Sequence, residues 1–139
     1  MGELAVCRVL WDKHDNISAL KRVAEKYPPK LKTAIIDFFM FEAEFSFMFA
    51  ESNAGKNDAY YFATHIVRAV SALNQVLFAV NEEYCLNEKK AVSMIDSFDI
   101  RPHSYKERVN AIFEVAGSAA VDACTQLKQL IDEAKGILL

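Results

Sequence analysis

The sequence predicts an all-α fold, a helical bundle of five to six helices with one short N-terminal strand. Three observations carry this. Only four glycines and three prolines occur in 139 residues, too little backbone punctuation for a turn-dense β architecture. Apolar residues recur every three or four positions over long stretches, the period of a helix with one buried face. Between Leu4 and Trp11, by contrast, Val6, Val9 and Trp11 supply the β-branched and aromatic character of a strand. Residues 1–139 read as a single domain, with the strand over 4–11 and the bundle over 17–135.

The strand ends in a turn, Asp12 to Asn16. Asn16 is suited to cap a first helix from Ile17 to Tyr27, which stops where Pro28 and Pro29 follow. Pro29 fits the first turn of a second helix, predicted over Lys30 to Ser52. That helix is apolar nearly all the way round, with six phenylalanines between Phe38 and Phe49. Such a helix belongs at the centre of a bundle or along a pocket. Ser52 to Asn57 is a loop by composition, and Asp58 caps a third helix from Ala59 to Glu83 or Cys85, about 40 Å long. Its core stripe is Phe62, Ile66, Val70, Leu73, Leu77 and Val80. A shorter helix covers Glu88 to Phe98, and Asp99 to His103 interrupts it. Ser104 with Glu107 forms a capping box that opens a helix to Val115. Gly117-Ser118 breaks the chain before a last amphipathic stretch, Val121 to Ile131, which ends in Gly136. The strand finds no partner in this series for its N–H and C=O groups, so it is expected to pair with another copy or with a sheet outside these residues.

Composition excludes several classes. Sixteen basic side chains against 19 acidic ones give a net charge of -3, and the basic ones are scattered, so no nucleic-acid partner is expected. No uncharged apolar run of about 20 residues and no basic-then-apolar leader occur, so neither a membrane nor an export signal is expected. Cys7, Cys85 and Cys124 are odd in number and lack CxxC spacing, which argues against a disulfide framework or zinc knuckle and for a cytoplasmic location. No Glu-x-x-His pair offers a di-iron site. No metal ligands are assigned in this chain.

Two clusters could bind a ligand. On the second helix Asp37, Glu44 and Glu51 recur every seven residues and lie near one face. On the third, His65 and Arg68 sit one turn apart, and Asn74 and Asn81 are again seven apart. With the two helices antiparallel, Asp37 or Glu44 would pair with His65 or Arg68. The plain reading is a satisfied polar layer. The sharper one is a groove for a cationic or polyhydroxylated ligand, with Tyr60, Tyr61 or a Phe as stacking surface. The second cluster is the corner Asn81 to Lys90, where Asn81, Glu82, Tyr84, Asn87 and Lys89 concentrate.

The segment Arg8-Val-Leu-Trp-Asp-Lys-His-Asp-Asn-Ile-Ser-Ala-Leu20 resembles the stretch that closes the catalytic sheet of small nucleotidyltransferases of the polymerase β superfamily. His65 to Tyr84, followed by Asn87-Glu-Lys89, is similar to the long helix and turn of their C-terminal helical domain, as in aminoglycoside nucleotidyltransferases. The resemblance spans roughly residues 5 to 115. It implies an acceptor-binding helical domain that presents a hydroxyl to the nucleotide α-phosphate, with Glu82, Glu83 or Glu88 as candidate general base. It also implies a partner, the catalytic nucleotidyltransferase domain in cis or in trans, which would hold Mg²⁺ and a nucleoside triphosphate. The family's Asp-x-Asp metal ligands are absent here, and Gly117-Ser118 has none following it. This chain alone is therefore not expected to transfer nucleotides. Two further expectations compete: a non-enzymatic module in which the strand and the aromatic second helix mediate homodimerisation or docking, and a helical RNase or toxin using the Arg-x5-His spacing of Arg8 and His14.

Overall fold

The computed structural model describes all 139 residues as seven helices: α1 (Gly2–Val6), α2 (Asn16–Ala24), α3 (Pro29–Asn53), α4 (Ala59–Val80), α5 (Ala91–Ile95), α6 (Tyr105–Val115) and α7 (Ala120–Ile137). The all-α class holds. The N-terminal strand does not: Gly2–Val6 is a short helix, and Cys7 turns the chain into an extended conformation at φ -63° and ψ 150°. An unpartnered strand leaves every ladder group unsatisfied. Glu3, Leu4 and Ala5 are good helix formers, and local helical bonds satisfy part of the segment instead.

α3 and α4 form an antiparallel hairpin, pinned near its open end by Lys32 Nζ and Glu82 Oε1 at 3.0 Å and midway by Arg68 and Glu42. α6 and α7 form a second hairpin that turns at the Gly117-Ser118 break, joined by Arg108 and Glu133 at 2.5 Å. The centre is α4 rather than α3. Thirteen of α4's 22 residues are buried, against only Met40, Ala43, Ser46 and Ala50 on α3. Small residues on that inner row let the two backbones approach, and most of α3's phenylalanines are left to its flanks and outer side. α4 is also long and apolar enough to cross a membrane by length and composition, and 67% of its most apolar stretch is buried inside the bundle.

Several element ends differ from expectation for identifiable reasons. Asp58 caps α4 as read, accepting from the Tyr61 N–H at 2.9 Å. α4 stops at Val80, short of Glu83, because Glu82 adopts φ +59°. The Glu82 N–H then reaches Ala79 O and the Glu83 N–H reaches Phe78 O, the paired bonds of a Schellman ending. Lys90 at φ +66° delays the next helix, so α5 spans only Ala91–Ile95. α2 is capped by Asp12 rather than Asn16: the Asp12 carboxylate accepts the Ser18 N–H at 2.8 Å, which lowers its pKa. Ser104 makes no side-chain cap, and its φ of 48° lies outside the extended backbone typical of a capping serine. α7 runs through Gly136 to Ile137.

Candidate functional site

A cleft of about 270 Å³ lies between α3, α4 and the chain that follows α4. α3 contributes Phe39 and Glu42, α4 contributes Arg68, Ser71, Asn74 and Gln75, and Cys85, Glu88 and Ala91 close the far side. Arg68, Asn74 and Glu88 are the three sequence candidates that meet there. Arg68 pairs with Glu42, neither Asp37 nor Glu44, because Glu42 lies on the flank of α3 that faces α4. Glu42 Oε1 also accepts from the Ser46 hydroxyl at 3.2 Å. Asn74 Oδ1 accepts from the Tyr105 hydroxyl at 2.9 Å in the core, which leaves its amide N–H groups for the cleft. Burial pushes the Cys85 thiol's pKa up, Glu88 adds to the rise, and a hydrogen bond from Gln75 partly opposes it. A protonated thiol makes a poor nucleophile.

His65 sits beside the cleft and does not line it. It is 6% exposed, stacked on Phe49 at 5.2 Å and edged by Tyr61 at 4.4 Å. Its Nδ1 is buried without a hydrogen-bond partner. Desolvation lowers its pKa, Arg68 lowers it further, and Glu42 opposes both. The imidazole is therefore neutral inside an aromatic bracket.

The remaining candidates scatter. Asp37 is exposed, and Glu44 pairs with Lys135 on α7. Glu51 lines a separate groove between α3 and α7. Asn81 is a staple, donating to Leu77 O and Ile100 O and accepting from the Ile100 N–H. Tyr84 donates to Ala24 O at 2.9 Å and packs on Tyr27 at 4.7 Å, which ties α2 to the bundle. The Asn87 carboxamide accepts the Lys89 N–H at 3.0 Å, closing a local turn. Glu83, Tyr84, Asn87 and Lys89 border a smaller hollow of about 200 Å³. Arg8 and His14 are both exposed on the segment between α1 and α2. Sequence reasoning missed Glu42, Ser71 and Gln75; the last two fall three and seven residues after Arg68, a helical spacing that could have found them.

No three His, Cys, Asp or Glu side chains converge as metal ligands. The chain matches no family model, no curated protein and no solved structure. What the cleft offers chemically is one free carboxylate, one cation already paired, and amide and hydroxyl groups suited to a small polar ligand.

Proposed function

We propose that this chain is the acceptor-binding helical domain of a nucleotidyltransferase, acting with a catalytic domain supplied in cis or in trans. The observation that supports the reading is the cleft itself. Arg68, Asn74 and Glu88 all come from the stretch that resembles the family, and they line one concavity. Glu42 is occupied by Arg68, so Glu88 is the free carboxylate. It would accept the proton of an acceptor hydroxyl as that oxygen bonds to the α-phosphorus of the nucleoside triphosphate and the α–β phosphoanhydride bond breaks to release pyrophosphate. The Asn74 and Gln75 amides and the Ser71 hydroxyl would orient the other polar groups of the ligand. A volume of about 270 Å³ takes a single sugar-sized ring, one of the three that kanamycin carries. The Mg²⁺ and nucleoside triphosphate belong to the catalytic domain in this reading.

Calorimetric titration with kanamycin tests it. Heat that is reduced at least tenfold in affinity by Glu88→Gln, with unchanged helical content, is the expected result. Absence of both heat and thermal shift with kanamycin and with uncharged hydroxylated sugars would overturn the ligand-binding role.

A further inference from the structure

Asn74 is the only polar residue of the cleft that is buried, and its direction is fixed from behind. It is 6% exposed, and its Oδ1 accepts from the Tyr105 hydroxyl at 2.9 Å. Tyr105 is fully buried, and its hydroxyl makes that one bond. Turned over, the carboxamide would set its N–H groups against the hydroxyl and leave the phenolic proton without an acceptor in the core. Burial also keeps the phenol protonated, its pKa raised well above the ordinary value. The oxygen of Asn74 therefore faces Tyr105, and the nitrogen faces the other way. That nitrogen bonds to no group of the chain. It is not sealed in the interior either, where His65 Nδ1 is the one polar side-chain atom without a partner. Its opening is the cleft that Asn74 lines.

The other polar groups of the cleft select less sharply. Ser71 and Gln75 can each turn a donor or an acceptor to a ligand. Arg68 only donates, and Glu42 holds it. Glu88 only accepts. A ligand that spans the cleft must then accept at Asn74 and donate at Glu88. Hydroxyl groups do both. An ammonium group only donates, so at Asn74 it would set N–H against N–H and leave the amide without its bond. A carboxylate or phosphate would accept there, but Glu42 and Glu88 against Arg68 give the lining a net negative charge, which opposes an anion.

We propose that Asn74 determines the specificity of this cleft by donating to an uncharged oxygen of the ligand, so that the cleft selects a hydroxylated ring over a polyamine. This rests on the reading of the cleft as the acceptor-binding site, and it adds which chemistry the acceptor must present beside Asn74.

Soluble probes separate the chemistries: kanamycin carries hydroxyl and ammonium groups, myo-inositol hydroxyls only, and spermidine ammonium groups only. In nuclear magnetic resonance spectra of the isotope-labelled chain, kanamycin and myo-inositol are expected to shift the side-chain amide signal of Asn74. Spermidine is expected to leave it in place. Asn74→Asp keeps the shape and the acceptor for Tyr105 but turns an oxygen to the cleft in place of the N–H groups. It is expected to weaken myo-inositol about fivefold or more, the worth of one hydrogen bond, while spermidine is not weakened. The wild-type amide signal decides the matter even where the aspartate variant folds poorly. Kanamycin that binds and is weakened by Glu88→Gln, yet leaves the Asn74 amide signal unmoved, would overturn the proposal and leave the acceptor-binding reading standing. A shift of that signal by spermidine as large as by myo-inositol would do the same. Binding by neither kanamycin nor myo-inositol would overturn that reading and the proposal with it.

Discussion

The Tyr105 hydroxyl donates to Asn74 Oδ1 at 2.9 Å, joining α6 to α4 through the interior with both residues buried. Burial also pushes the Tyr105 phenol well above its ordinary pKa, so it remains a donor throughout the working pH range. Removing the acceptor strands that hydroxyl. Asn74→Leu is expected to lower stability by roughly 1–3 kcal/mol, the cost of a buried unsatisfied group. Tyr105→Phe alone costs about 1 kcal/mol, and the double variant is less destabilised than the sum of the two. Urea denaturation of the four proteins measures that coupling. Because Asn74 also lines the cleft, a binding defect at this position counts only when measured where the variant is fully folded.

His65 gives the bundle a pH dependence of definite sign. Its folded pKa is depressed below the ordinary 6.5, first by desolvation and then by Arg68. The unfolded chain therefore binds a proton that the folded chain refuses, and stability falls as pH drops below 6.5, levelling off below the folded pKa. His65→Phe keeps an aromatic ring between Phe49 and Tyr61 and removes the orphaned Nδ1. It is expected to be neutral or stabilising by about 1 kcal/mol. It should also flatten the fall in thermal midpoint on acidification below 6.5. An unchanged slope in the variant would assign the pH dependence to other groups.

Much of this fold was legible because its signals are local. Pro29 at a helix start, Asp58 as a cap and the break at Gly117-Ser118 each depend on neighbouring residues only. The strand over Leu4 to Trp11 was misread because strand formation depends on a partner, which composition cannot supply. α3 was placed at the centre because its apolar residues run all the way round. Only the small inner row of Ala43, Ser46 and Ala50 shows which side meets α4, and smallness is a weak signal. Of the residues singled out in the sequence, Arg68, Asn74 and Glu88 line the cleft, whereas Glu42, which also lines it, was passed over. The heptad spacing of Asp37, Glu44 and Glu51 drew attention to the opposite flank of the same helix.

Glu82 occupies the left-handed position that ends α4, at φ +59°, where glycine is the unstrained residue. A side chain there costs roughly 1–2 kcal/mol. The compensating ion pair to Lys32 at 3.0 Å has its glutamate side chain 61% exposed, and pairs of that kind contribute about 0.5 kcal/mol. Glu82→Gly is accordingly expected to raise stability by about 0.5–1 kcal/mol, with Lys32→Ala as the control that isolates the lost pair. A destabilised glycine variant would mean that the ion pair outweighs the backbone strain.

Glu133 holds the loop before α6 against α7 with both oxygens. Oε1 accepts the His103 N–H at 2.9 Å and Oε2 accepts from Arg108 at 2.5 Å. Desolvation alone would raise its pKa, but the hydrogen bonds from Arg108 and His103 and the nearby charge of Arg108 outweigh that and lower it below the ordinary 4.5. A carboxylate with a depressed folded pKa adds stability that is present above the unfolded value and lost as pH falls through the folded one. Glu133→Gln should therefore cost roughly 1 kcal/mol at neutral pH, a figure kept small because the pair is partly exposed. The difference between the two proteins should shrink toward zero well below 4.5, where the wild-type carboxyl is itself protonated. Denaturation curves of both proteins at neutral and acid pH check the sign: a gap that stays constant on acidification would mean that the side chain acts through packing rather than through its charge.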